Sequence, residues 1–582
     1  MSTLIIETYL IKWYNIKGCE KSKKNYRREM YIMLKKYVTD LKKEFSGYNG
    51  KKLSADLMSG LTVAAVALPL ALAFGVSSGA DAASGLITAI IAGIVIGVLG
   101  GASYQISGPT GAMAAILLTL SAKNGVEGVL FAGFLSGIIL ILAALLKVGK
   151  LVSYIPAPVI TGFTSGIAII IALGQIDNFF GTYSEGSKAV LKLISYGRLG
   201  FTPDLKAVMF GVLVVLIMIF YPKKLNARFP ASLASIIIAL IVELIFDFDV
   251  KQVGDIPKSL FLDTRLTPAV IFENVKDFDK LKEYISPAVS VAALGMIESL
   301  LCGASAGKMK NEKLDAQREL IAQGVGNMLI PFCGGVPATA AIARTSVAIK
   351  SGGQTRLVSV FHSLTLIASM FLLGPVMSKI PLAALAGVLM VTAWRMNEWE
   401  TIKNIFSKKL KNSALQYIIT MVATVVFDLT VAIVIGVVLS MLIFIVKNCE
   451  LRIDISDVDK KRLRSAGHEL SSSMAGTKLV YLAGPLFFGT QEKLTECLSQ
   501  LDGAASIVFS MRGVPMVDDS AIAELEELFD TYTKNNVNIL FSGVQPRVRG
   551  TLERAGFIEK VGEERIFWDA VQALAFLDEQ SA

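Results

Sequence analysis

The sequence has few charged residues, histidines and cysteines for its length. Charged side chains make up 18% of the 582 residues and hydrophobic ones 53%, which is too apolar for an ordinary soluble enzyme. The 2 histidines and 5 widely spaced cysteines match neither the ligand spacing of a zinc site nor a disulfide framework. The chain also lacks a Walker lysine motif and a nucleophile elbow. We therefore expect that the protein is not an enzyme and that it binds neither a metal ion nor an organic cofactor.

The charges that are present lie unevenly along the chain. Residues 1–52 carry 13 Lys and Arg against 5 Asp and Glu, residues 53–447 carry 30 against 22, and residues 448–582 carry 14 against 21. The basic excess adjoins apolar segments, which indicates contact with membrane lipids rather than nucleic acid. We predict a basic cytoplasmic region 1–52, a transmembrane domain 53–447, a linker 448–475 and a small domain 476–582.

Apolar segments suited to crossing a bilayer recur throughout the middle region. A span needs about 20 apolar residues, and we predict about fourteen spans, two of them short. They lie near 56–76, 84–100, 109–120, 127–146, 154–175, 206–221, 230–247, 284–303, 319–333, 338–349, 357–376 and 380–394, with two more in 412–446. Because Lys and Arg concentrate in alternate loops, we predict that both termini are cytoplasmic.

The region after residue 476 has the pattern of a soluble α/β domain. Short runs rich in β-branched and aromatic residues, such as LVYLAGPLFF, ASIVFSM and VNILFSG, alternate with amphipathic helical stretches such as 519–534. Strands that alternate with helices in this way are typical of a small mixed sheet. The predicted fold class is thus a polytopic α-helical membrane protein with a small cytoplasmic α/β domain.

Two predicted spans are interrupted by glycine and proline. QISGPTGAMAAILL at 105–118 and CGGVPATAAIARTSVAI at 333–349 lie in the third and tenth spans, which are equivalent places in an inverted repeat of two sevens. Pro109 and Pro337 are predicted to start half-helices, with Thr110 and Thr339 in their first turns. Free N–H groups and a positive dipole end at membrane depth favour a bound anion. The alternative is a pair of kinked helices that pack without a ligand.

Three ionisable residues within the predicted spans are functional candidates because charge is costly in lipid. Glu298 lies mid-span, with Cys302 one helical turn later. Glu298 is a candidate proton carrier or cation partner, or it forms a structural hydrogen bond across the bundle. Arg344 adds positive charge to the site, pairs with Glu298, or extends to the inner mouth. For His362 we expect a hydrogen-bonded core role rather than a proton relay.

These segments together resemble the sulfate permease family, the bacterial relatives of the solute carrier 26 proteins. The resemblance rests on DLMSGLTVAAVALPLALAFGVSSG, QISGPTGAMAAIL, YIPAPVITGFTSGIAI, MIESLLCG and ELIAQGVGNMLIPFCGGVPATAAIART, and the C-terminal domain resembles a STAS domain. It implies fourteen spans in core and gate bundles, a homodimer in the bacterial inner membrane and an elevator-like movement. It also implies a small-anion site whose lining residues would be Leu70, Phe74, Pro109, Thr110, Gly111, Thr339, Ala340, Ala343 and Arg344.

The resemblance implies that Glu298 and Cys302 take part in ion coupling. The runs LPLALAF, IESLLC and PATAAIAR are most similar to the proton-coupled four-carbon dicarboxylate carriers of the family, which suggests succinate or fumarate. Sulfate-type members often have Gln in place of Leu70. Sodium-coupled bicarbonate members have Asp and Thr in place of Glu298 and Cys302. We expect proton symport, with a sulfate or bicarbonate carrier, sodium-coupled or an exchanger, as the alternative.

The stretch MVDDSAIAEL resembles the phosphorylation motif of STAS-domain antagonists. The resemblance places Ser520 at the modified position, but Asp519 and Ala521 depart from the usual Ser and Gly. We therefore expect a packing role for this domain more than regulation through Ser520. A membrane-tethered sensor that signals through the STAS-like domain is the remaining alternative.

Overall fold

The computed structural model is mostly helical and describes residues 35–150, 155–186, 189–226, 229–427, 429–449, 451–459, 463, 476–498, 501 and 503–581. Most of the predicted N-terminal region and most of the predicted linker lie outside these residues. The chain divides into two compact units, with the boundary between Val437 and Val438. The first unit contains nearly all of the membrane helices, and the second contains a β-sheet.

Fourteen helical segments in the described residues correspond to the predicted spans, in two sets of seven. The first set is α2 (Gly50–Ser77), α3 (Ala82–Leu99), the two halves of α4 (Gly111–Leu145), α5 (Ala157–Gly174), α8 (Leu205–Phe220) and α10 (Ala231–Phe246). The second set is α12 (Phe278–Lys310), α13 (Ala316–Leu329), α14 (Ile342–Lys350), α15 (Leu357–Met377), α16 (Leu382–Met396), α18 (Lys411–Val426) and α19 (Leu429–Asn448). The shorter connecting helices are α1 over 35–44, α6 (Ile176–Phe180), α7 (Ala189–Leu199), α9 (Lys223–Asn226), α11 (Pro268–Lys276) and α17 (Trp399–Ser407).

Length and composition alone identify six helices in the described residues that can cross a membrane, and four shorter apolar helices accompany them. The remaining segments are broken or polar. The helix α4 holds two spans because Gly125 has a φ of 68° in its middle, a conformation that glycine adopts without steric cost. The predicted polytopic helical fold is therefore confirmed.

The membrane helices form two bundles. In the first bundle α2, α3, α4, α12, α13, α14 and α15 pack against one another, and in the second α5 packs on α16 and α18 while α8 packs on α10 and α16. The first bundle contains both interrupted segments, and we call it the core bundle and the second the gate bundle. Close approach within the core bundle depends on glycine: a side chain at Gly85 would overlap the Ala71 carbonyl oxygen.

The short helix α1 is attached to one end of the core bundle by two ion pairs, one of them buried. Glu44 pairs with Arg356 at 2.9 Å, and both side chains are largely buried. Asp40 pairs with Arg318 at 2.8 Å. Tyr37 lies beneath both guanidinium groups and donates a hydrogen bond to a backbone carbonyl at the end of α3. Since Arg318 and Arg356 precede or begin separate spans, α1 links several core helices at this end.

The second unit contains a five-stranded sheet with the order β3-β4-β5-β6-β7. The strands are β3 (Arg452–Asp457), β4 (Thr477–Ala483), β5 (Ser506–Gly513), β6 (Asn538–Ser542) and β7 (Ile566–Phe567). Two short strands, β1 (Ser107–Gly108) and β2 (Thr339–Ala340), lie in the first unit. Only β3 is antiparallel to its neighbour. The helices are α20 (Gln491–Leu498), α21 (Asp519–Lys534), α22 (Pro546–Arg554), α23 (Phe557–Val561) and α24 (Ala570–Ser581). The predicted α/β character of this region is confirmed.

Candidate functional site

The two interrupted segments meet inside the core bundle. The short strand β1 (Ser107–Gly108) pairs antiparallel with β2 (Thr339–Ala340), and each strand leads into a helix. The helix α4 begins at Gly111 and α14 begins at Ile342. The first N–H groups of both helices are therefore held near one place, where they have no partner within their own helix.

The structure corrects the predicted starts of these half-helices. Neither proline occupies a first helical turn: Pro109 precedes the N-cap Thr110, and Pro337 lies before β2. Thr339 is part of β2, so it does not donate from a first turn. Arg344 is the third residue of α14. Two residues before each helix belong to the β1–β2 pair. This pairing gives hydrogen-bonding partners to backbone groups that would lack them if each helix started at its proline.

Thr110 connects the start of α4 to the mid-span carboxylate. Its hydroxyl oxygen accepts a hydrogen bond from the Met113 N–H, as expected of an N-cap. The same hydroxyl donates to Glu298 Oε2 over 2.9 Å. Glu298 is only partly buried. The carboxyl group thus lies at the positive end of α4, and it forms a hydrogen bond across the bundle to Thr110, as the structural alternative for Glu298 required.

Arg344 is almost completely buried, with 1% of its surface exposed. Its Nη2 donates to the Pro109 carbonyl oxygen, while its Nη1 has no hydrogen-bonding partner among the described residues. The first hydrogen bond ties α14 to the residue that precedes the cap of α4. Of the three alternatives for Arg344, the structure excludes the inner mouth, because the guanidinium group lies inside the bundle beside β1.

Several buried polar residues that the sequence analysis missed hold β1 and β2 in place. Ser299 Oγ lies 3.0 Å from Thr339 Oγ1 and accepts from the Ala340 N–H. The Asn327 side chain forms hydrogen bonds with both the N–H and the carbonyl of Ala338. The sequence does contain a signal for these residues, since each is a polar residue within an apolar span. The hydroxyl of Thr339 is thus committed to packing within the bundle.

Residues of the first span lie beside the start of α4. Phe74 and Leu70 are both buried on α2, and an added Cβ at Gly111 would lie 3.1 Å from Phe74 Cε1 and overlap Ile171 Cδ1. Phe74 and Gly111 line a cavity of about 220 Å³ between the core and gate bundles. Ala343 lies on the exposed side of α14. Of the predicted lining residues, the structure brings Phe74 and Gly111 to this cavity. The others are not among its lining residues: Leu70, Pro109, Thr110, Thr339, Ala340, Ala343 and Arg344.

The remaining candidates lie in different surroundings. Cys302 is fully buried, with its Sγ 3.4 Å from Thr345 Oγ1. His362 is also fully buried, but neither ring nitrogen has a hydrogen-bonding partner in the described part of the chain. The expected hydrogen-bonded role of His362 is therefore not met by protein groups. Ser520 lies in the second unit, in the first turn of α21.

Comparison with known proteins gives both regions a family. The sulfate permease family matches residues 53–423, and the STAS domain matches residues 474–573. The Bacillus subtilis protein YvdB is 33% identical over 537 residues, which cover 90% of this chain and 97% of YvdB. The bicarbonate transporter BicA of a Synechocystis species is 28% identical over 539 residues, which cover 90% of this chain and 94% of BicA.

Solved structures agree with this assignment. The transmembrane domain of a cyanobacterial BicA is 30% identical, with a TM-score of 0.61 over 66% of this chain and 98% of that one. The murine Solute Carrier 26 family member A9 anion transporter, in its inward-facing state, superposes with a TM-score of 0.80 over 99% of this chain and 98% of that one. At 18% identity this second likeness supports the fold alone. The relatives are transporters rather than enzymes, as expected, and the chain is a membrane protein of the sulfate permease family of anion transporters that carries a C-terminal STAS domain.

Proposed function

We propose that this chain is a secondary active symporter that couples proton movement to uptake of a small anion such as a four-carbon dicarboxylate. The observation that carries this proposal is the hydrogen bond between Thr110 and Glu298 at the start of α4. It joins a protonatable group to the helix end that is best suited to bind an anion. The anion would bind where α4 and α14 begin, with Gly111 and Thr110 beside it.

The charge of the site supports an anion as the ligand. Free N–H groups at two helix starts carry partial positive charge. Arg344 adds a full positive charge, and its Nη2 bond to the Pro109 carbonyl keeps this charge beside the start of α4. The burial of Arg344 strengthens its attraction, because screening by water is weak there.

Glu298 provides the coupling to protons in this proposal. A carboxylate at the start of α4 repels an incoming anion, and the repulsion is strong in surroundings of low dielectric constant. Protonation of Glu298 removes that repulsion. Proton binding and anion binding therefore favour each other, and the relation is reciprocal. Cys302 offers a thiol instead of the oxygen ligand that sodium prefers, which favours a proton over sodium as the coupling ion.

The cavity between the bundles supports an elevator-like movement of the core bundle against the gate bundle. Gly111 belongs to the core bundle, and Ile171 on α5 belongs to the gate bundle. The site thus lies where one bundle would slide past the other. We further propose a homodimer in the bacterial inner membrane with cytoplasmic termini, and a STAS domain that packs rather than signals through Ser520.

A sulfate or bicarbonate carrier is the second candidate. The relative BicA is named a bicarbonate transporter, and the half-helix starts would hold any of these anions. The coupling ion could then be sodium, or the protein could exchange anions. The uptake assay separates a dicarboxylate carrier from a sulfate or bicarbonate carrier.

Uptake into proteoliposomes tests the proposal. Labelled succinate uptake is measured with and without an inward proton gradient, with sulfate and bicarbonate as competitors. We expect the gradient to stimulate succinate uptake and Glu298→Gln to retain succinate binding while it loses gradient-driven accumulation. Glu243→Gln is the matched control, because Glu243 is a buried carboxyl on α10 that pairs with Gln252. Unchanged pH dependence in Glu298→Gln would reject the proton-carrier role. Uptake of sulfate or bicarbonate alone would reject the dicarboxylate.

A further inference from the structure

Four buried polar atoms without protein partners lie in one part of the core bundle. They are Arg344 Nη1, His362 Nδ1, His362 Nε2 and Ser363 Oγ. Buried polar atoms in native proteins nearly always have a hydrogen-bonding partner, either protein or ordered water. An isolated unpartnered atom marks a local defect, but four together indicate a group that binds among them.

The helix α3 places these atoms near one another. The Arg344 Nη1 atom packs against Gly108, where an added Cβ would overlap it and would lie 3.4 Å from the Ala89 Cα. Four residues further along α3, an added Cβ at Gly93 would overlap Ser363 Oγ and lie 3.3 Å from His362 Cδ2. Residues four apart share a helix face and are about 6 Å apart along the axis. The guanidinium group thus lies near Ala89 and the imidazole ring near Gly93, two positions one turn apart on one face of α3.

We propose that His362 is a positioning residue for Arg344, and that it acts through buried water between Arg344 Nη1 and the imidazole ring. A buried water needs two to four polar partners, and Arg344, His362 and Ser363 supply them. A neutral imidazole has one acceptor and one donor nitrogen, so it can close such a chain at either end. The inference rests on the proposed function, since it concerns how Arg344 is held beside the anion site.

The consequence is that the guanidinium group is held from both sides. Its Nη2 is bonded to the Pro109 carbonyl at the start of α4, and its Nη1 is bonded through water to α15. A guanidinium group with only one of these connections could rotate away from the half-helix starts. The water connection therefore keeps the positive charge in place during anion binding without a contact between His362 and the anion.

A double-mutant cycle with full-length protein tests this role. Affinity and uptake kinetics are measured by calorimetry and proteoliposome assays with whichever of succinate, sulfate and bicarbonate the wild-type protein transports. We expect His362→Leu to weaken affinity and raise KM by roughly tenfold, the loss of about one buried hydrogen bond, with little change in the maximal rate. His362→Gln should recover most of the affinity. In an Arg344→Gln background, His362→Leu should cause no further loss.

Ser359→Ala is the matched control. Ser359 lies one turn before His362 on the same face of α15, but its hydroxyl already donates to the Gly93 carbonyl. Its removal is expected to lower stability without a change in affinity. Equal loss of affinity in Ser359→Ala and His362→Leu would attribute the effect to general damage and overturn the positioning role.

The remaining outcomes separate this inference from the proposed function. If Arg344→Gln keeps normal affinity, the proposed anion site is wrong. If Arg344→Gln weakens binding but His362→Leu does not, or if their effects simply add, only the positioning role is wrong. Should His362→Leu fail to fold, a high-resolution structure of the wild-type protein decides: ordered water bonded to both Arg344 and His362 supports the inference, and a gap without water overturns it.

Discussion

The contact at Gly111 provides a sharp test of the site. Gly111 is the first residue of α4, and the replacement Gly111→Ala would direct a methyl group into Ile171 Cδ1 on the gate bundle, with Phe74 Cε1 3.1 Å away. Because Ile171 Cδ1 is the end of a flexible side chain, it can move, but only into a less favourable rotamer. The variant is therefore expected to fold and to bind anions more weakly.

The structure sets the size of this effect. An off-rotamer side chain costs about 0.5–1.5 kcal/mol, and overpacking of a well-packed contact costs about 1–3 kcal/mol. Where anion binding holds the core and gate bundles at this contact and the free protein can relax it, a penalty of about 1–2 kcal/mol in the bound state corresponds to roughly 5- to 30-fold weaker binding. Gly111→Leu adds three further carbon atoms beside Phe74, so we expect it to abolish measurable binding of any anion.

A compensating substitution distinguishes this clash from general damage. Ile171→Val deletes the one methyl group that the new Cβ meets, so Gly111→Ala combined with Ile171→Val should recover most of the affinity. Ile170→Val, the control, removes a methyl group from the neighbouring residue that also lines the cavity and should recover none. Affinity is measured by calorimetry with the transported anion. Normal affinity in Gly111→Ala, or equal recovery by both valine variants, would refute the reasoning.

Two further predictions concern stability. Glu44→Gln should lower the melting temperature of the purified protein in detergent, because it leaves the buried Arg356 without its carboxylate, a loss of about 3 kcal/mol. The control Lys36→Gln breaks the exposed pair with Asp315 and should have almost no effect. Equal melting temperatures of the two variants would contradict this prediction. Asp518→Ala should destabilise the second unit by about 1 kcal/mol in urea denaturation, because it removes the N-cap hydrogen bond to the Ala521 N–H, and Asp519→Ala, which leaves that cap intact, is its control.

The interrupted segments show what can be predicted from local sequence and what cannot. Glycine and proline within apolar runs correctly located two breaks in the third and tenth spans. They did not reveal that each break contains a short strand and that the two strands pair with each other, so that α14 starts at Ile342 and Thr339 lies within β2. A strand of two residues has no periodicity of its own, and its partner lies more than 230 positions away. Only the folded chain brings them together.

The sequence by itself determined the membrane class, the two sets of seven helices and the α/β domain, and it singled out Glu298 and Arg344 as candidates. These follow from hydropathy, helix-breaking residues and the cost of charge in lipid, which act locally along the chain. Only the tertiary structure decided that Glu298 bonds to Thr110, that Arg344 bonds to the Pro109 carbonyl, and that Arg344 and His362 both lie beside α3. Side-chain partners across a bundle depend on how helices far apart in sequence pack, and no local pattern encodes that choice.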